Sequence, residues 1–372
     1  MADPVQIQRL PHDAYIDAVR WLPHFSTFTR HILLAAFDSD TSTPSLQTIQ
    51  FSPSQSASSV TPQSLLPLPS RITSLRTCSS AFNPSRPIIA ASTFSGSLLF
   101  LTADLIHGSL NLEFSVAEKG FHNGSVSGID LSDNGSECVS VGEEGRINLI
   151  SLEEEEGGFR RVFDSTGLVS YSAVKWASPV EFVTGGVGRF SLHWWDQRKP
   201  GGPVVLFKEN WTDWGTTSGI VHSIDIHPSR KYTCLAGGSS GTVFAWDIRS
   251  PKESTILSSV GLNDAPTHSL VESDVWEVQY DNYTHSSKIS NQSSSRILPA
   301  MTCSEDGILA VIEHGQQPTE LLAEPCAINS FDIDRQNPSV FNCAPFNIID
   351  TATLQDVVCS LEWESLAILT RP

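Results

Sequence analysis

Short apolar runs rich in strand formers recur along this chain in pairs, each pair joined by a glycine-containing turn. The clearest pair is Cys234, Leu235, Ala236 and Val243, Phe244, Ala245, Trp246, separated by Gly237, Gly238, Ser239, Ser240 and Gly241, a cluster suited to positive φ. That arrangement predicts a β-hairpin. Residues 182–198, 138–150, 88–101 and 301–312 repeat it, and residues 32–51 and 357–369 are weaker copies. The turn glycines Gly96, Gly145, Gly188, Gly241 and Gly307 fall roughly 40 to 65 residues apart, near the period of a four-stranded unit with loop insertions. Seven such units fit 372 residues.

Two of the hairpins end in Trp195-Asp196 and Trp246-Asp247, so the units resemble WD repeats. The expectation is an all-β, seven-bladed WD-repeat β-propeller forming a single domain over residues 1–372. The repeats are degenerate: Ile150 and Ile312 stand where a tryptophan is usual, and Ser240 where an aspartate precedes the turn glycine. Val5, Ile7 and Leu10 read as a short strand with no hairpin of its own, while the far end of the chain supplies three strands for its last blade. Residues 5–10 are therefore expected to close the ring as the outer strand of that blade, with all three apolar side chains buried. Composition assigns residues 52–70, rich in Ser, Pro and Gln, to a loop. Residues 281–296 and 335–350 read as mobile insertions between the first and second strands of blades six and seven.

Forty-one acidic residues against 23 basic ones give a net charge of -18, which repels nucleic acid and anionic membrane and favours protein partners. The first residues have no apolar core of signal-peptide length, and no run of about 18 apolar residues occurs, so a secreted or membrane-inserted chain is not expected. Seven cysteines without a CxxC pair read as buried thiols in a reducing compartment, and the five Asn-x-Ser/Thr sequons as chance matches.

Catalytic chemistry finds little support. Gly237 to Gly241 matches G-x-S-x-G, but a nucleophile elbow needs a strand-to-helix turn and Ser239 lies in a hairpin. No histidine set has zinc-ligand spacing, His193 reads as a blade-face residue, and no cofactor or metal is expected. The candidate protein-interaction residues are four. Arg198 and Arg249 each follow Trp-Asp by two positions, which puts them just past a strand end on one rim. Trp211 and Trp214 sit in a polar, glycine-containing loop, where exposed aromatics would anchor a partner or else fold back on their own blade. The acidic residues 153–156 read as a solvated hairpin tip.

Residues 139–150 (VSVGEEGRINLI), 275–280 (VWEVQY), 302–307 (TCSEDG) and 328–334 (INSFDID) together resemble, in the same order, the small WD-repeat nucleoporin of the Y-shaped outer-ring complex of the nuclear pore, the nucleoporin forty-three family. The first 115 residues match it poorly. The resemblance implies a non-enzymatic scaffold subunit at the nuclear envelope, hetero-oligomeric, held by an α-solenoid subunit of the short-arm region and supporting nucleocytoplasmic transport and mRNA export. No short motif carries contact residues over. The WD-x-R pattern also resembles that by which some substrate receptors dock onto the adaptor of a cullin-RING ubiquitin ligase, which is the alternative reading.

Overall fold

A computed structural model describes residues 5–24, 29–52, 61–80, 83–117, 119–153, 158–165, 167–188, 190–208, 219–227, 230–250, 254–258, 271–281, 297–335, 355–362 and 365–371. Seven four-stranded antiparallel sheets follow one another around a central channel, and the described residues contain no helix. The inner strands, which touch each other from blade to blade, are Tyr15–Trp21, Ile72–Cys78, Val126–Leu131, Tyr171–Ser178, Val221–Ile226, Val275–Tyr280 and Ile328–Ile333. The fold is the expected seven-bladed propeller.

Because successive strands run in opposite directions, each blade offers two kinds of end. One rim carries the turns between second and third strands, and Gly96, Gly145, Gly188, Gly241 and Gly307 all sit there with φ between +65° and +95°. At Gly307 an added Cβ would overlap the carbonyl oxygens of Glu324 and Cys326. The opposite rim carries the turns that follow Trp-Asp. We call these the glycine rim and the arginine rim.

Apolar residues pack between neighbouring blades. Phe190, Trp194, Phe207, Ile224, Phe244 and Trp246 form one cluster joining blades four and five, and Val139, Tyr171, Phe182 and Trp195 form another joining three and four. Ile150 stands opposite Cys138 as Trp246 stands opposite Cys234, so the tryptophan position is filled by an apolar side chain that packs without a polar partner. Polar contacts stiffen individual blades: in blade three His122 Nε2 lies 3.0 Å from Ser140 Oγ and Nδ1 lies 2.6 Å from Glu144, and in blade four Trp195 Nε1–H donates to Thr184 Oγ1 at 3.0 Å.

The N-terminal strand Gln6–Pro11 pairs antiparallel with Ser365–Arg371 and completes blade seven, as expected. The burial expected of it is corrected in one respect. A period of two puts Val5 and Ile7 on one face of this outer strand and Leu10 on the other, and both faces are covered only in part. Val5 and Leu10 pack against the core, whereas Ile7 is 37% exposed.

The loop expected over residues 52–70 is also corrected, because Thr61–Pro67 is the outer strand of blade one. An edge strand needs hydrogen bonds on one side only, and the register breaks near Pro62, where the missing N–H is tolerated. Leu66 faces inward while Leu65 is exposed. The insertions expected over 281–296 and 335–350 do fall between the first and second strands of blades six and seven; all but Asp281 and Arg335 lie outside the described residues.

Candidate protein interaction site

Arg198 and Arg249 occupy the same local structure. Each backbone N–H and each guanidinium Nε–H donates to Oδ1 of the aspartate two residues back: Arg198 to Asp196 at 3.0 and 2.8 Å, Arg249 to Asp247 at 2.9 Å for both. A second guanidinium nitrogen reaches the other carboxylate oxygen in both cases. Arg249 also lies over the Tyr232 ring at 5.3 Å. These bonds hold Asp196 and Asp247 below the usual carboxylate range. Each arginine is thus folded onto its own blade, yet both remain 65% exposed on one rim.

Trp211 and Trp214 lie outside the described residues, in the segment between Val205–Lys208 of blade four and Val221–Ile226 of blade five. Of the acidic tip, Glu153 is described and exposed. Ser239 is held in its turn, its N–H donating to Ile220 O and its Oγ accepting from Ile220 N–H, each at 3.0 Å. His193 Nδ1 lies 3.2 Å from the Tyr171 hydroxyl on the blade. Burial pushes the thiols of Cys78 and Cys234 up to about 11 and about 12, far from reactive values. Among the described residues no group of three His, Cys, Asp or Glu side chains is placed to hold a metal ion.

What sequence reading missed is the channel. Every inner strand carries a β-bulge near its start, so its following residues fall into a common frame. Counting from Ile16, Ile72, Val126, Tyr171, Val221, Val275 and Ile328, the fifth residues are Arg20, Arg76, Asp130, Lys175, Asp225, Gln279 and Asp332. The inner edge of each strand has no ladder partner, and these side chains serve it. Trp176 N–H donates to Asp130, Tyr280 N–H to Asp225 and Trp21 N–H to Asp332, each at 2.8 Å. Third-position side chains do the same: Val278 N–H donates to Ser223 Oγ, Phe331 N–H to Glu277 and Val19 N–H to Ser330 Oγ. Second-position hydroxyls of Thr73, Ser127 and Ser172 donate to the first-position carbonyls of Val126, Tyr171 and Val221 in the following blade.

The ring holds charges of both signs, and they pair. Arg20 and Glu277 meet at 2.8 Å, both buried; burial alone would lower the Arg20 pKa, but Glu277 and Asp332 outweigh it. Lys175 lies 3.5 Å from Asp130 and 3.9 Å from Asp225. Arg335, past the end of the last inner strand, donates to Asp225 at 3.1 Å and to Gln279 at 3.3 Å. Those two residues belong to blades five and six, so Arg335 ties the root of the last insertion to its neighbours. The signal was in the sequence, as a polar fifth residue after an apolar fourth in every inner strand, but only alignment of all seven strands exposes it.

No family model matches the chain. It is 51% identical to the nuclear pore complex protein NUP43 of Arabidopsis thaliana over 381 aligned positions, covering all of this chain and 99% of that one. It is also 28% identical to nucleoporin Nup43 of Homo sapiens over 177 positions, covering 47% of this chain and 39% of the human one. The mouse nucleoporin Nup43 is 29% identical over 174 positions, 46% of this chain and 38% of its own. The full-length likeness, joined to the closed seven-bladed ring, makes this chain a nuclear pore protein of the NUP43 family.

Proposed function

We propose that the chain is a non-enzymatic scaffold subunit of the outer-ring, Y-shaped complex of the nuclear pore, a docking platform that supports nucleocytoplasmic transport and mRNA export. The observation that carries this reading is the full-length similarity to a nuclear pore protein. The geometry is in keeping with it. All seven blades have four strands, the last completed by the chain's own N-terminal strand, so a partner meets the outside of a finished ring. The expected partner is an α-solenoid nucleoporin of the short-arm region.

The adaptor-docking alternative rests on Arg198 and Arg249, and the pairing of each with its own aspartate accounts for both without a partner. Affinity purification of the tagged chain from its own cells separates the readings, with wild type compared to Arg198→Ala/Arg249→Ala by quantitative mass spectrometry. Equal recovery of α-solenoid nucleoporins in both samples is the expected result. A ligase adaptor that disappears in the variant, with no nucleoporins recovered, would overturn the proposal.

A further inference from the structure

We propose that the glycine-rim mouth of the central channel is a docking site for a basic partner segment that carries a bulky apolar side chain. This deepens the platform reading and rests on it. The mouth is a cavity of about 710 Å³ to which all seven inner strands contribute, against about 380 Å³ at the arginine rim.

Its apolar wall is built and partly uncovered. The Trp276 indole is fixed from two sides: Nε1–H donates to Glu305 at 2.6 Å, and the ring lies 4.7 Å from that of His222, which is itself 3.1 Å from Asp274. Phe94, in the turn before Gly96, is 57% exposed, and Val187, in the turn before Gly188, is 37% exposed. These three side chains, from blades six, two and four, line the same cavity, and a fixed aromatic ring with exposed apolar side chains around the mouth receives an apolar anchor at small entropic cost.

Charge selects the rest of the occupant. Five carboxylates and three arginines line this cavity. Asp17 is taken by Arg71 and Glu277 by Arg20, while Arg76 turns to Asp130 of the next blade. Arg71 is further occupied by the Phe37 ring, 4.7 Å away. That leaves Glu143, Glu305 and Glu362 without a cation among the described residues. On a chain of net charge -18 these three give the mouth, among the described residues, an excess of negative charge, which lysine or arginine flanking an apolar anchor would complement.

The test selects a random twelve-residue phage library on the full-length protein and titrates the enriched peptides by fluorescence anisotropy. The expected peptides carry net positive charge and at least one large apolar residue. Their affinity should fall at least about tenfold in Glu143→Lys/Glu362→Lys and in Phe94→Ala, and weaken with added salt, while Arg198→Ala/Arg249→Ala binds as wild type. Glu143→Gln/Glu362→Gln, which reverses no charge, should give an intermediate loss and guards against a folding artefact, as do unchanged melting curves. Enrichment of acidic peptides, no enrichment, or binding indifferent to the mouth variants would overturn the proposal. Nucleoporins that still co-purify with Glu143→Lys/Glu362→Lys after such a failure would leave the platform standing and remove only the mouth.

Discussion

The seam where the ring closes and the run of blades two to five are built from different materials. In the middle blades, inner strands are joined by the hydroxyls of Thr73, Ser127 and Ser172, and large aromatic clusters fill the space behind them. Around the seam, buried ion pairs take over. Arg20 meets Glu277 across blade seven, Arg30 reaches both Asp334 and Asp356, and Arg371 holds Asp281 with two nitrogens at 2.8 and 2.9 Å. Neighbouring blades in mid-chain find each other through contacts about fifty residues apart. The ion pairs at the seam join residues up to 326 positions apart, and directional charge pairing fixes a register that apolar packing alone would leave loose.

If that contrast is real, removing residues 1–11 should have the largest effect. The outer strand of blade seven disappears, Ser365–Arg371 gains an open edge, and Val5 and Leu10 lose their packing; a cost of several kcal/mol and aggregation on heating are expected. An unchanged melt would refute closure by this strand. Next, Glu277→Gln should cost about 3–5 kcal/mol by stranding the buried Arg20, and Arg20→Met/Glu277→Leu should restore most of it, measured by denaturant unfolding. A double variant no better than the single would mean that the pair does more than register.

In the middle blades, Ser127→Ala should cost about 1–2 kcal/mol, since one neutral hydroxyl, shared between Tyr171 O and Val141 O, is lost. A loss as large as that of Glu277→Gln would erase the distinction drawn here. Acid should separate the regions by sign. Backbone N–H groups and His107 hold Asp104 at about 2, below the ordinary value, so its stabilisation is complete above that value and is lost as pH falls towards 2. Burial instead raises Asp332 at the seam, so its ionisation costs stability, a cost relieved as pH falls through its folded value. Asp104→Asn should therefore flatten the acid limb of a plot of Tm against pH and Asp332→Asn should steepen it. The smallest effect belongs to Arg249→Ala, whose exposed pair should leave Tm within about 1 °C of wild type.

The elements legible in the sequence were those encoded locally. A hairpin announces itself within sixteen residues, and all five turn glycines took the positive φ expected of them. The strand at 61–67 was hidden because Pro, Ser and Gln suffice where only one edge must be paired. Ile7 misled because an apolar residue was taken to be buried, whereas the outer strand is covered only in part. Arg198 and Arg249 were legible as a rim pair, and their anchoring to Asp196 and Asp247 follows from the same four-residue motif. The Arg20–Glu277 pair and the mouth around Trp276 were not, since each draws residues from blades that are distant in sequence, and no local pattern says which strands will face one another.

The backbone bonds that hydroxyl and carboxylate side chains make between inner strands from the second, third and fifth places all point one way, while those from Arg20 to Phe331 O and from the Trp21 and Trp176 indoles to Asp332 O and Asp130 O run back. A side chain of one blade serves the backbone of the blade after it, from Thr73 to Val126, Ser127 to Tyr171, Asp225 to Tyr280, Glu277 to Phe331, and across the seam from Asp332 to Trp21. The propeller therefore has a polarity around its circumference, like a file of people each with a hand on the shoulder ahead. Blades are not exchangeable parts: each fifth-place aspartate meets a main-chain N–H of its successor, at a tryptophan or tyrosine in all three cases, so a shuffled blade keeps that bond only where its predecessor carries the acceptor.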